Sequence, residues 1–168
     1  MNDDRIGPPH HAPERETLRA FLDYHRATLA MKCAGLGDEE LRRRSMPTST
    51  LTLLGLVRHM AEVERTWFRR VFEDHDIPMV WSDEIDFQAA YDTEGATRSE
   101  AFAAWEAEVE HSRRVEREAA SLDLSGLQPR WGEEVSLRMV MLHMILEYGR
   151  HNGHADLLRE GIDGTVGA

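Results

Sequence analysis

The chain has 168 residues, of which 41% are hydrophobic, and a single cysteine, Cys33. That length can bury the core of one domain without disulfides, and no apolar run is long enough to span a bilayer or to form the core of a signal peptide, so a reduced, cytoplasmic protein that avoids membranes is expected. With 31 acidic against 20 basic residues the formal charge is −11, which repels a phosphate backbone and argues against nucleic acid as a partner.

Residues 1–13, "MNDDRIGPPHHAP", hold three prolines and no hydrophobic period, and read as a flexible N-terminal arm with His10 and His11 in solvent. From Glu14 a helical period begins, with Leu18, Phe21, Leu22, His25, Leu29 and Cys33 mostly three and four apart until "GLGDEE" interrupts it. Asp38 is placed as the N-cap of a short turn, "EELRRRS", whose basic spot at Arg42 to Arg44 reads as solvated. A second helix is predicted from about Leu51 to about Phe72, with Thr48 to Thr52 as its start residues and Leu53, Leu56, Val57, Met60, Val63, Trp67, Phe68 and Val71 on one stripe.

Residues 73–97 lack a helical period and scatter Ile77, Met79, Val80, Trp81 and Phe87 among acids, including the patch Glu73 to Asp76 around His75. A connection this long inside one domain is usually functional or a crossover. The third helix, about Arg98 to Leu122, carries Ala101, Phe102, Trp105, Val109 and Val115. After "DLSGLQPRWGEEVS", with its breakers Gly126, Pro129 and Gly132 and a short extended piece around Trp131, a fourth helix is expected from near Ser136 to about Glu160, with Gly161 as its stop. The fold class is therefore all-α: an antiparallel four-helix bundle over residues 14–161, with a long crossover connection between helices two and three and a loose tail at 162–168.

The chemistry lies in the fourth helix. At roughly 100° per residue, His143, Glu147, His151 and His154 share an arc of about 80° with Val140 and Leu158, which turns this polar group toward the core. Glu147 and His151, four apart, can converge on one cation, and a buried carboxylate needs a partner. A third ligand has to come from a facing helix, and His59 sits three residues after Leu56 and four before Val63, on the apolar face of helix two. Cys33 on the first helix, with no base at a recognisable spacing, reads as a small core residue.

"HMAEVE" on helix two, followed by "ExxxHNGHADLLRE" on helix four, resembles the DinB/YfiT-like superfamily, in particular its branch of mycothiol-dependent enzymes similar to maleylpyruvate isomerase. The resemblance spans nearly all of the chain after the arm. It implies a four-helix bundle that binds a divalent metal, commonly zinc or nickel, through His59, Glu147 and His151. Many members follow the last ligand with an R-G-Q-like segment, where this chain has Asn152, Gly153 and His154. Three protein ligands leave a coordination position open, as in catalytic sites, and a bound cation can hold a thiol as thiolate. His143 and His154 are the candidates to orient ligands or move protons.

The function expected is metal-dependent transfer of a low-molecular-weight, mycothiol-like thiol to a small-molecule electrophile, or its isomerisation. The alternatives are a metal-dependent hydrolase, with Glu62 or His154 as base, and a non-catalytic metal-binding bundle. The resemblance also implies a homodimer, with helices one and three as interface.

Overall fold

The computed structural model describes residues 5–83 and 88–167. Its long helices are α1 (Glu14–Lys32), α3 (Leu53–Glu64), α4 (Arg98–Glu118) and α5 (Leu137–Asp163), with the short α2 (Asp38–Leu41) between the first two. The fold is mostly helical, and its one departure among the described residues is a hairpin of β1 (Ser125–Gln128) and β2 (Glu133–Ser136), paired antiparallel from Ser125 opposite Ser136 to Gln128 opposite Glu133. Trp131 and Gly132 lie in its turn, where the sequence suggested only a brief extended piece. No described helix is long and apolar enough to cross a membrane.

Hydroxyl caps set the helix starts. Thr52 accepts from the Gly55 amide, Thr97 from Glu100 and Ser136 from Met139, each satisfying a donor that has no partner within its helix. Asp38 does not cap α2. Gly37 holds the cap position, its amide bonded to Glu40 Oε2, and Asp38 Oδ1 instead accepts the Arg98 amide at 2.7 Å, joining α2 to the start of α4. Gly161 does not stop the last helix either. The helix continues to Asp163 and ends at Gly164, whose φ of 76° is the left-handed conformation glycine adopts freely.

The second long helix does reach Phe72, but from Arg65 onward it is π-helical, with the Glu73 amide bonded to Phe68 O. Such widened turns are rare and frequently sit at functional sites. The hairpin rests on this segment: a Cβ on Gly126 would collide with the backbone of Val71 and Phe72, so only glycine allows the approach.

The direction of the helices follows from their contacts. Trp67, Glu64 and His59 meet His143, Tyr148 and His151 in turn, so α3 and α5 run antiparallel, as do α1 and α4, where Arg15 and Asp23 meet Glu116 and Arg113. In contrast, α1 and α5 ascend together, from Glu14 with Arg138 to Lys32 with Asp156. The π-helical segment and α4 do the same, Arg65 meeting Glu108 and Glu73 meeting His111. The long connection returns the chain to the end where α3 began, which makes that parallel pair possible. Phe87 lies outside the described residues.

Leu29, Leu54, Leu56, Met60, Leu137, Met144 and Tyr148 are fully buried in one core shared by the long helices. Within it Arg26 donates to both oxygens of Glu64, each at 2.8 Å, Tyr148 Oη donates to Glu64 Oε1 and Trp105 Nε1 donates to Tyr148 Oη. This chain of bonds takes one side chain from each of α1, α3, α4 and α5. Nothing in the hydrophobic period of the sequence announced it.

Candidate metal centre

His59 lies in the middle of α3, packed between Tyr91, which stacks on it with ring centroids 4.8 Å apart, and His151 of α5, 4.6 Å away and edge-on. Its Nε2 is shut off from solvent and has no hydrogen-bond partner among the described residues. Burial first, and the neighbouring His151 second, push its pKa down to about 4, so the ring is neutral at pH 7.

Glu147 and His151 share a face of α5 one turn apart. Glu147 Oε2 stands 3.3 Å from His151 Nε2, and Oε1 stands 3.4 Å from His143 Nε2 one turn the other way. The hydrogen bond with His151 is the largest of the influences that hold the Glu147 carboxyl below its usual range. One ligand atom from each of His59, Glu147 and His151 falls within 4.8 Å of the others, close to what two metal bonds of about 2.0–2.3 Å can span. An orphaned imidazole nitrogen, a second imidazole and a carboxylate aimed at one point fit a divalent cation.

The two remaining histidines flank this trio. His143 packs against Trp67, ring centroids 4.1 Å apart, and its pKa is lowered by burial. His154 sits on the other side, its Nδ1 3.4 Å from His151 Nδ1. The arc read from the sequence thus splits into the Glu147–His151 pair and one neighbour at each end.

A cleft of about 540 Å³ opens beside Glu147 and His143. The π-helical segment lines it with Trp67 and Arg70, the following loop with Asp74, His75 and Asp76, and the hairpin with Gln128 to Trp131. Cys33 is far from qualifying as a nucleophile: it is fully buried, and burial pushes its thiol up to about 12.

Glu62 faces elsewhere. Its Oε1 accepts the amides of Trp81 and Ser82 at 2.8 and 2.7 Å, and Oε2 accepts the Ser82 hydroxyl. One turn earlier Arg58 stacks on Trp81 and donates to Ala90 O. These two residues fasten the long connection to α3 and so hold Tyr91 against His59. Tyr91 carried no signal in the sequence, because its role depends on where the connection returns.

The sequence model of the mycothiol-S-transferase family matches residues 17–164, from Thr17 within α1 to the end of α5, the hairpin included. No curated protein matches the chain. The match covers the great majority of the 168 residues, and the chain belongs to the mycothiol-S-transferase family, a DinB/YfiT-like group.

Proposed function

We propose that this protein is a divalent-metal-dependent enzyme that joins a low-molecular-weight thiol of the mycothiol type to a small electrophile, or isomerises one, on an up-down-down-up four-helix bundle. The observation that carries the reading is His59 Nε2. A buried polar atom without a partner costs about 1–3 kcal/mol, and a cation between it, Glu147 and His151 removes that penalty. Two imidazoles and a carboxylate suit zinc or nickel. Bound there, the cation lowers the pKa of a thiol and keeps it as thiolate near neutral pH.

The chain's own residues prepare the rest. With a cation bound, His151 would give up its hydrogen bond to Glu147, and its Nδ1–H would turn to His154 Nδ1, leaving the Nε2 lone pair for the cation, so His154 would support the useful tautomer. His143 holds the other carboxylate oxygen and lines the cleft, where it can hold or release a proton at the reacting carbon. The sulfur has to come from outside, because Cys33 is sealed in the core. In the transfer, the sulfur–carbon bond forms as the leaving group departs with its electron pair, or as a proton adds to the neighbouring carbon. Glu62, with both oxygens engaged, is spent on the long connection rather than free to activate water, which weighs against hydrolysis.

We also assign the protein to the cytoplasm and infer a homodimer. Helices one and three were the expected interface, yet among the described residues their only exposed large apolar side chain is Phe21, whereas α5 exposes Leu142, Leu146 and Leu157 along one face. A second copy is best received by α5.

The deciding experiment strips the protein of metal, reloads it with zinc or nickel, and follows conjugation of an activated aryl halide with and without mycothiol. Metal-dependent, thiol-dependent conjugation supports the reading. Full-rate ester cleavage without thiol, and no conjugation, overturns it in favour of a hydrolase.

A further inference from the structure

The π-helical segment carries three arginines with different fates. Arg65 and Arg69 both reach Glu108 of α4, at 2.7 and 2.6 Å. Arg70 turns the other way and lines the cleft, half-buried, and its guanidinium makes no hydrogen bond or ion pair with any described residue. In a chain with 31 acids to 20 bases, where the buried Arg26 and Arg159 are tied to Glu64 and Asp163, a sheltered arginine left unpaired is conspicuous. Asp74 and Asp76 line the same cleft but stand exposed at its mouth, and neither comes within 4.0 Å of Arg70. Water screens their charge at the rim, where they still disfavour a polyanion such as a phosphate ester.

The same cleft holds an aromatic surface. Trp131, in the hairpin turn, is 50% exposed although it is the largest side chain there, and its inner side rests on Trp67, ring centroids 5.8 Å apart. Trp67 in turn packs on His143, whose Nε2 stands 3.4 Å from Glu147 Oε1. The cleft therefore offers a half-buried cation and an exposed indole face, and Glu147 of the candidate metal centre lines the same wall as His143.

We propose that Arg70 and Trp131 select the acceptor electrophile: a planar, activated molecule bearing one carboxylate. The guanidinium fork takes the carboxylate in two parallel bonds, the indole takes the ring face, and the electrophilic carbon is left pointing toward Glu147. The proposal rests on the transferase reading and names its substrate class. With 4-chloro-3-nitrobenzoate as probe, the thiolate sulfur bonds to the ring carbon, chloride leaves with the electron pair of the broken bond, and the thiol proton goes to solvent.

The test uses the full chain as purified and two matched probes, 4-chloro-3-nitrobenzoate and 4-chloro-3-nitrobenzamide. Calorimetric titration without thiol should show the acid binding at least about 10-fold more tightly than the amide. Arg70→Met should bring the acid down to the level of the amide, Arg70→Lys should recover part of the preference, and Trp131→Ala should weaken both probes. Arg117→Met, at an exposed position on α4, should leave the preference as it is. Equal binding of the two probes, or an acid preference that survives Arg70→Met, overturns the proposal. Turnover with mycothiol separates it from the reading beneath it. Arg70-dependent binding without any conjugation would sink the transferase and leave the carboxylate site, whereas conjugation of both probes with equal kcat/KM would sink only the carboxylate site.

Discussion

Tyr148 Oη donates a hydrogen bond to Glu64 Oε1 at 2.8 Å, from the residue that immediately follows Glu147 in the candidate metal centre. Glu64 is itself gripped by Arg26, so the rotation of α5 that aims Glu147 and His151 at His59 is set from its other side by a buried ion pair. Both partners are almost wholly inaccessible to water, so the pair tolerates loss of one member poorly.

Arg26→Met should therefore destabilise the fold by about 3–5 kcal/mol, since it leaves the Glu64 carboxylate buried without its counter-charge. Tyr148→Phe should cost less, about 1–3 kcal/mol, by leaving the Trp105 indole N–H without an acceptor. Urea unfolding would rank them. A Tyr148→Phe loss as large as that of Arg26→Met would mean that the hydroxyl, not the ion pair, fixes α5.

The metal triad makes a sharper claim. His59→Ala and His151→Ala should each abolish retention of zinc or nickel after dialysis, because two remaining ligands hold a cation weakly. His143→Ala and His154→Ala remove only neighbours of ligands, and the affinity should fall by about 10- to 100-fold. Elemental analysis of the four variants checks the order. Metal lost as completely from the His143 variant as from the His151 variant would contradict the ligand set.

Much of this site was legible in the sequence because it rides on helical periodicity. The spacing of Glu147 and His151, and of His59 within its apolar stripe, fixes which way those side chains face before any tertiary contact is known. The helix starts were equally readable at Thr52 and Ser136, whose hydroxyls cap locally. What escaped notice depends on contacts distant along the chain. Arg26, Glu64 and Tyr148 look like polar interruptions of apolar stripes until four helices bring them together. The π-helical turn has no sequence signature, and it decides that Arg69 meets Glu108 while Arg70 enters the cleft. Gly161 looked like a stop, but a helix already anchored by Leu158 and Arg159 can carry a glycine and continue to a better one.

Two glycine substitutions should move stability in opposite directions. Gly126→Ala drives a methyl group into the backbone of Val71 and Phe72, neither of which can swing aside, and should cost about 1–3 kcal/mol or lift the hairpin away from the π-helical segment. Gly153 lies within α5 with open space around its Cα, so Gly153→Ala should stabilise the helix by about 0.5–1 kcal/mol. Melting temperatures of the two variants check this, and a neutral Gly126→Ala would show that the hairpin does not pack closely.

The dimer prediction follows from the exposed face of α5. Sedimentation at micromolar concentration should give a species of about twice 19.3 kDa, and Leu146→Glu, at a position 71% exposed, should return it to the monomer without lowering thermal stability. A wild-type monomer, or a dimer indifferent to Leu146→Glu, would move the interface off α5.

Glu62 offers the last prediction, because its two oxygens distinguish a structural carboxylate from a catalytic one. As a fastener it accepts three bonds from Trp81 and Ser82, and with Arg58 it ties down the connection that brings Tyr91 onto His59. Glu62→Gln replaces one acceptor oxygen with a donor that faces donors, so at least one amide or hydroxyl loses its partner, at a cost of about 1–3 kcal/mol. Hydrogen exchange at the Trp81 and Ser82 amides should quicken at least about 5-fold, and stability and metal retention should fall together as Tyr91 loosens from His59. A general base would behave otherwise: its loss would cut kcat by about 100-fold or more while leaving amide exchange and melting temperature in place. Unchanged protection at Trp81 and Ser82 in a variant with collapsed kcat would therefore put Glu62 in the reaction and reopen the hydrolytic reading.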